Sequence, residues 1–274
     1  MNNLKKFIEN NTIKIVFLEE ILSLKREEIF LEERRNPLDS IKMEIGEEFS
    51  SKSLKKKLKG KGISVIAEVK KCSPSLGIIR ENYFPENIAK SYEKNGASAI
   101  SVLTEKNFFL GDDLHLSSVK RVVELPVLRK DFIITEYQIY QSKKIGADAV
   151  LLIAKCLEAD ELKNFIKVAK SINVECVVEI HDEDDIKKIE GLKCDIIGIN
   201  NRDLKTFEVS LEASFRFKDL LPSDSLVISE SGIKTSEDIR SLKERGFNGV
   251  LIGEVLLKSP SPGKKLKELL KGAS

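Results

Sequence analysis

Ionisable side chains stand at the carboxyl ends of several short apolar runs in this sequence. The first such run ends with Glu68 and Lys70, which share one face of an extended strand because side chains alternate along it. Opposite charges in a buried strand are costly unless they are paired or used. The polar residues that end later runs are Lys130, Glu179, Asn200, Arg202 and Glu230. Singly, each is more often a surface group or a structural ion pair, but lysines and carboxylates around one cavity are typical of acid–base catalysis.

Small residues follow the last two apolar runs, where an anion could bind. Ser231 and Gly232 stand at the carboxyl end of the seventh run, and Gly253 at that of the eighth. Glycine lets an anion approach backbone N–H groups, and a helix that begins there adds a favourable dipole. The sequence therefore predicts a phosphate-binding position, although these glycines could also serve only to turn the chain.

The elements that would position these residues are eight apolar runs that alternate with helical patterns. The runs cover residues 63–70, 99–105, 126–132, 148–154, 174–180, 195–201, 225–231 and 249–254. Their Val, Ile and Leu content is typical of parallel strands that are buried on both faces. The pattern predicts an α/β fold, a (β/α)₈ TIM barrel, with its active site at the carboxyl ends of the strands. An open doubly wound sheet is the alternative, but no G-x-G-x-x-G follows the first run.

The first 62 residues have a different texture and predict a helical extension packed on a barrel of residues 63–274. Residues 4–35 have apolar positions at three- and four-residue spacings, which indicate a helix. The lysine-rich run at 52–61 predicts a solvated helix face, with phosphate-backbone binding as the minor alternative.

Composition excludes several classes of function. Of the 274 residues, 46 are basic and 44 acidic, so the net charge of +2 argues against a nucleic-acid partner. The sequence contains no run of about 18 apolar residues, so no membrane span is predicted. The N-terminus also lacks the apolar core of a signal peptide, and we therefore expect a cytoplasmic protein. The four cysteines are widely spaced, which predicts reduced, inert thiols. We expect His181 to face solvent beside its acidic neighbours, and His115 to be structural.

The ordered set of strand-end motifs resembles the indole-3-glycerol-phosphate synthase family through most of the chain. The motifs are A-E-V-K-K-C-S-P-S at 67–75, V-L-R-K-D-F at 127–132, V-E-I-H-D-E at 178–183, G-I-N-N-R-D-L at 198–204, S-E-S-G-I at 229–233 and L-I-G-E at 251–254. The segment I-L-S-L-K-R-E-E-I at 21–29 resembles the helical segment that precedes the barrel in this family. The resemblance implies ring closure, decarboxylation and dehydration of 1-(2-carboxyphenylamino)-1-deoxyribulose 5-phosphate, in tryptophan biosynthesis.

The resemblance also implies catalytic roles for the strand-end residues. Lys130 matches the acid of ring closure, Lys70 the acid of the elimination, and Glu179 the base. Glu68 would tune the lysines, and the further catalytic positions that bind substrate groups are Asn200 and Glu230.

Binding roles follow from the same resemblance. Arg202 would pair with the substrate carboxylate, and Ser73 would contact the substrate. The aromatic ring would contact Phe109 and Phe132, either of which could equally belong to the core. The phosphate would be bound by Ser231, Gly232, Gly253 and Lys70.

No metal or organic cofactor is expected, because acid–base catalysis and positioning suffice for these steps. The expected partner is a small phosphorylated substrate, with no fused second barrel. The loop at 71–85 is a candidate lid or an ordinary mobile loop.

Two alternatives of other kinds remain. Another phosphate-binding barrel, phosphoribosylanthranilate isomerase, would be expected to use a cysteine and an aspartate at strand ends. A non-catalytic binding scaffold would be expected to lose its charged strand ends. Leu76 and Asp112 depart from the family pattern, where a lysine and a small serine are common, which puts substrate affinity or loop detail in doubt.

Overall fold

The computed structural model describes residues 16–45, 51–203 and 208–272. The first described helix, α1, spans Val16–Arg35. The helix predicted for residues 4–35 is therefore seen from Val16 onward, and residues 4–15 lie outside the described part of the chain. The proposed division between residues 62 and 63 stays a prediction.

Eight parallel strands close into a barrel whose order follows the chain. Strand β1 pairs with both β2 and β8, which closes the sheet. The strands are β1 (Ser64–Val69), β2 (Ala99–Leu103), β3 (Val127–Lys130), β4 (Ala149–Ile153), β5 (Glu175–Ile180), β6 (Ile196–Asn200), β7 (Leu226–Glu230) and β8 (Gly249–Ile252). The predicted (β/α)₈ barrel is thus confirmed, and the open doubly wound alternative is wrong.

Helices follow the strands and cover the outside of the barrel. In the described part of the chain, three helices precede β1, namely α1, α2 (Leu38–Glu44) and α3 (Leu54–Leu58). The others are α4 (Pro85–Lys94), α5 (Asp113–Lys120), α6 (Glu136–Lys144), α7 (Ala159–Ser171), α8 (Glu183–Ile189), α9 (Glu212–Lys218), α10 (Ser236–Glu244), α11 (Glu254–Leu257) and α12 (Pro262–Gly272). A short antiparallel pair, Cys72–Ser73 with Gly77–Ile78, lies in the loop after β1.

The inside of the barrel divides into an apolar lower part and a polar upper part. Alternate strand residues such as Ile66, Leu128 and Val177 form one buried apolar cluster. Glu68, Lys130 and Glu179 stand two residues further along the same strands, so they share the inward face at the carboxyl ends. The alternation of side chains therefore places these three charged groups together at the carboxyl end of the barrel.

Helix α3 closes the opposite end of the barrel. Leu54 and Leu58 are each 1% exposed and belong to the interior cluster. The Leu58 side chain comes within 2.7 Å of the position that a Cβ on Gly249 would take, at the first residue of β8. The lysines between these leucines are half-exposed or exposed, in agreement with the predicted solvated helix face. The two leucines, in contrast, are buried and form the floor of the barrel.

Helices α1 and α2 pack against the barrel through separate apolar clusters. Ile21 packs with Phe108, and Ile29 and Ile41 pack with Tyr137. Lys25 of α1 is 2% exposed, and its ammonium lies 3.1 Å from Asp131, the residue after β3. The extension therefore reaches the carboxyl end of β3 by a buried ion pair.

No helix in the described ranges is long and apolar enough to cross a membrane. All four cysteines are free, and burial raises the pKa of Cys156 and Cys176 to about 12 and that of Cys194 to about 11. These thiols are therefore protonated near neutral pH, in agreement with the prediction that they are inert.

Candidate active site

A cavity at the carboxyl ends of the strands brings together every residue that the sequence nominates for the site. Strand register sets the neighbours, because Asn200 of β6 stands opposite Glu230 of β7, and Leu103 of β2 opposite Lys130 of β3. The nominated residues that line the cavity are Glu68, Lys70, Ser73, Phe109, Lys130, Phe132, Glu179, Asn200, Arg202, Glu230, Ser231, Gly232 and Gly253. Their roles in a reaction are a separate matter and stay predictions at this point.

Lys130 lies at the centre of the polar cluster. Its Nζ donates to Oε2 of Glu179 at 3.0 Å and to Oε2 of Glu230 at 2.8 Å. Burial alone lowers the pKa of Lys130, but the attraction of the two carboxylates outweighs it, so the pKa lies above its ordinary value. The lysine is therefore charged near neutral pH and links two strands across the mouth.

The two carboxylates that share Lys130 differ from each other. Burial tends to raise the pKa of Glu179, but Lys130 and His181 outweigh it and hold the pKa below its usual range. Burial also raises the pKa of Glu230, and there the repulsion of Glu179 adds to it, so that Lys130 does not restore the ordinary value. The neighbourhood thus favours an ionised Glu179 and a Glu230 that can take up a proton.

The position of His181 corrects the expectation that it faces solvent. Its side chain is only 6% exposed, and Nε2 lies 3.1 Å from Oε1 of Glu179. Asp185, which is 1% exposed, accepts the backbone N–H of His181 at 2.9 Å, and its carboxylate lies 3.6 Å from the ring Nδ1. The acidic residues that follow strand β5 suggested that His181 is exposed to solvent. Helix α8 begins there, however, and its first turn directs Asp185 inward. The i, i+4 spacing of His181 and Asp185 was the available signal.

Lys70 and Glu68 form an ion pair on the other side of the mouth. The carboxylate of Glu68 occupies the space next to Gly253, where an added Cβ would come within 2.1 Å of Oε2. The glycine after β8, nominated for anion binding, therefore also makes room for a buried carboxylate.

The backbone after β7 is unusual. Ser231 has a φ of 67° and Gly232 a φ of 82°, so two consecutive residues adopt the left-handed conformation. A non-glycine residue pays a steric cost in that region, and such residues are frequent at ligand sites. Gly253 is the N-cap of α11, which places a helix N-terminus beside the same turn. This geometry is compatible with the predicted phosphate position, and it gives Gly232 a turn-forming role as well.

The aromatic side of the cavity is formed by Phe109 and Phe132. Both are half-buried and pack against the cluster of Ile21 and Phe108 that carries α1. The carboxylate of Glu105 accepts the backbone N–H groups of Asn107, Phe108 and Phe109, which fixes the loop that follows β2.

The structure explains one of the two residues, Asp112 and Leu76, that depart from the family pattern in the loops. Asp112 is the N-cap of α5, and its side chain accepts the backbone N–H of Leu114 at 2.8 Å, which gives this residue a structural role. Leu76 is 40% exposed, and nothing in its surroundings explains it. The second histidine, His115, lies in α5 with its ring edge-on to Tyr83, in agreement with the structural role expected for it.

Asp131 and Lys25 were missed at the sequence level. Asp131 is buried next to Lys130, where it accepts from Thr104 and pairs with Arg129 and Lys25. Lys25 and Asp131 are far apart in the chain, so no local pattern could link them. Their contact ties α1 to the strand that carries the central lysine.

The closed barrel and the lysine–glutamate cluster at its carboxyl-end mouth define a (β/α)₈-barrel enzyme with an acid–base site. A family model described as indole-3-glycerol phosphate synthase matches residues 18–269. The chain therefore belongs to the indole-3-glycerol phosphate synthase family.

Individual relatives agree with this assignment. The indole-3-glycerol phosphate synthase of Alkaliphilus metalliredigens is 45% identical over 258 residues, which cover 94% of this chain and 99% of that protein. The protein of the same name from Thermoanaerobacter pseudethanolicus is 47% identical over 256 residues, or 93% of this chain and 98% of that one.

A solved structure shows the same fold at low identity. The 3-hexulose-6-phosphate synthase of Salmonella typhimurium has a TM-score of 0.59 and 14% identity, and the match covers 77% of this chain and 98% of that chain. This likeness concerns the barrel fold alone.

Proposed function

We propose that the chain converts 1-(2-carboxyphenylamino)-1-deoxyribulose 5-phosphate into indole-3-glycerol phosphate by ring closure, decarboxylation and dehydration, in tryptophan biosynthesis. The observation that carries the proposal is the shared position of Lys130 between Glu179 and Glu230 at the barrel mouth. An acid and a base within hydrogen-bond distance of each other are what a sequence of proton donations and abstractions needs.

Lys130 is the acid of ring closure in this proposal. An aromatic ring carbon attacks the ketone, and the carbonyl oxygen acquires negative charge that a neighbouring ammonium can neutralise. A lysine whose pKa is raised is a weak acid toward water, but an alkoxide is a strong base, so the proton transfer stays feasible. Loss of carbon dioxide then restores the aromatic ring.

Lys70 and Glu179 serve the elimination of water. Lys70 donates a proton to the departing hydroxyl, and Glu179 removes a proton from the neighbouring carbon. Glu179 is suited to this role because its environment keeps it ionised. Glu68 pairs with Lys70 and sets its position, while Asn200 donates to Oε1 of Glu179 at 3.2 Å.

The substrate is oriented by its two charged ends. Arg202 pairs with the ring carboxylate, since a guanidinium fork matches a carboxylate in geometry and charge. The turn at Ser231 and Gly232, together with Gly253 and Lys70, binds the phosphate. Ser73 has a buried Oγ with no hydrogen-bond partner among the described residues, which supports a role in substrate contact. Phe109 and Phe132 pack against the ring.

The reaction uses no metal or organic cofactor in this proposal, since proton transfers and positioning account for each step. The partner is the small phosphorylated substrate alone, and we place the reaction in the cytoplasm. For the loop at 71–85, both predictions stand: a lid over the site or an ordinary mobile loop.

One assay tests the proposed function. Purified protein incubated with the anthranilate sugar phosphate should produce indole fluorescence together with one equivalent of carbon dioxide. If substrate is consumed without formation of indole-3-glycerol phosphate, the assignment of the reaction is wrong, and if it is not consumed the chain is not this enzyme.

A further inference from the structure

The cluster at the mouth extends beyond the residues assigned to substrate, through His181 and Asp185. His181 follows β5 directly, and its ring lies between two carboxylates, with Nε2 at 3.1 Å from Glu179 and Nδ1 at 3.6 Å from Asp185. Both carboxylates are buried, since Glu179 is 3% exposed and Asp185 is 1% exposed, and Glu179 also lines the cavity. A carboxylate–imidazole–carboxylate row therefore runs from α8 to the centre of the barrel.

The two oxygens of Glu179 have separate partners. Oε1 faces His181 and the amide of Asn200, whereas Oε2 accepts from Lys130. Rotation of the carboxylate would break contacts at both oxygens at once. The side chain that the proposed function uses as a base is thus held in one orientation from two sides.

We propose that His181 is a positioning residue for Glu179, held in place by Asp185, so that Oε2 stays directed toward Lys130 and the reacting carbon. The proposal rests on the proposed function, in which Glu179 is the base. His181 itself does not line the cavity and makes no substrate contact in this account.

The charge on His181 gives this arrangement a second effect. Burial lowers the pKa of the imidazole, but the nearby carboxylates of Asp185 and Glu179 outweigh it and raise the pKa to about 9. The charged groups that face Glu179 from other elements are Lys130 of β3 and Glu230 of β7, while the Cys156 thiol after β4 stays neutral. When Lys130 gives up its proton during ring closure, His181 remains as the neighbouring cation that keeps Glu179 ionised.

The closing experiment compares His181→Gln and His181→Leu with His115→Gln in the same fluorescence assay. The leucine variant should lose about 10- to 100-fold in kcat with KM changed less than about threefold, because the base is misplaced while the substrate contacts persist. Glutamine can place an amide N–H near the position of Nε2, so His181→Gln should recover part of the loss. His115 lies in α5 and is not among the residues that line the cavity, so His115→Gln should match the parent protein.

The pH profile separates positioning from a general loss of packing. Without the imidazolium, the pKa of Glu179 rises, so the acid limb of kcat should move toward neutral pH in His181→Leu and in His181→Gln. Asp185→Asn can still accept the backbone N–H of His181, and it should move the limb in the same direction by a smaller amount. It also serves as the second variant if His181→Leu does not fold.

The protonation state can be observed directly. The chain contains two histidines, so untagged His115→Gln protein labelled with ¹⁵N carries one imidazole, that of His181. Its NMR shifts should be those of an imidazolium at pH 7.5. A neutral ring at that pH, or variants of His181 and Asp185 with parental kcat and pH profile, would overturn the inference. Parent protein that forms no indole-3-glycerol phosphate would instead refute the proposed function.

Discussion

At the scale of single residues, the mouth of the barrel sorts its carboxylates into different protonation states. Glu179 and Glu230 share one ammonium group, and repulsion between two carboxylates in a buried site makes the second one harder to ionise. His181 lies next to Glu179, and its positive charge therefore favours ionisation of Glu179 over that of Glu230. Glu230 can then carry a proton near neutral pH.

The first prediction concerns Lys130. Lys130→Met should lower kcat by about 10²- to 10⁴-fold, because the ring-closure acid is absent. Indole fluorescence under saturating substrate measures it, with Lys90→Met on the exposed side of α4 as the control. Near-normal turnover in Lys130→Met would refute the assigned role.

The second prediction concerns Gly198, which faces the same cluster from β6. An added Cβ would come within 2.2 Å of Oε1 of Glu230, and that oxygen is buried with no hydrogen-bond partner among the described residues. In Gly198→Ala the carboxylate must turn away from Lys130, so kcat should fall by about tenfold or more.

The fold should tolerate the same change, because the atom in conflict is the end of a side chain. Thermal unfolding of Gly198→Ala should stay within a few degrees of the parent, as should that of the control Gly60→Ala, which lies at the far end of the barrel. Full activity in Gly198→Ala would show that the orientation of Glu230 is unimportant.

At the scale of elements, the barrel strands and their charged ends were predictable, because the apolar residues of each strand and the polar residues at its end are visible in the local sequence. Glu68, Lys130 and Glu179 stand at positions that the alternation of β1, β3 and β5 fixes locally. The floor formed by α3 was not predicted, since two leucines spaced four apart are hidden in a run of lysines. The contact of Lys25 with Asp131 depends on helix placement, which no local pattern indicates. For the inward position of Asp185, the i, i+4 spacing from His181 was the one local signal.

The third prediction belongs to α3. Leu58→Ala should reduce the free energy of unfolding by about 2–5 kcal/mol, because the truncation leaves a cavity among buried side chains at the floor. Since the site lies at the other end of the strands, kcat at a temperature where the variant is folded should remain near that of the parent.

Urea unfolding and the fluorescence assay measure the two effects separately. Leu114→Ala is the matched control, because Leu114 is 72% exposed on α5 and should cost little. A large loss of kcat in folded Leu58→Ala would contradict the separation of the two ends.

At the scale of the whole molecule, stability should depend on pH through the two histidines with opposite signs. The pKa of His181 is raised in the folded protein from 6.5 to about 9, so its stabilising contribution is complete below pH 6.5 and is lost as the pH rises through 9. The pKa of His115 is lowered, chiefly by burial, so its penalty is present at acidic pH and vanishes above the unfolded value.

The fourth prediction follows from these signs. The stability lost in His181→Gln should be larger at pH 6 than at pH 9.5, by up to about 3 kcal/mol at 1.36 kcal/mol per unit of pKa shift. His115→Gln should instead gain stability relative to the parent as the pH falls toward 5. Urea titrations across this range measure both, and a difference for His181→Gln that does not change with pH would contradict a charged, buried imidazole.

The floor of the barrel comes from a segment that precedes the first strand. A chain that begins at residue 63 would keep all eight strands, yet water could enter beneath Ile66 and Ile228, whose neighbours Leu54 and Leu58 would be missing. Such a shortened chain should bind a hydrophobic dye that the full chain excludes. Eight strand–helix units complete the wall of this molecule, and a five-residue helix from outside them supplies its base.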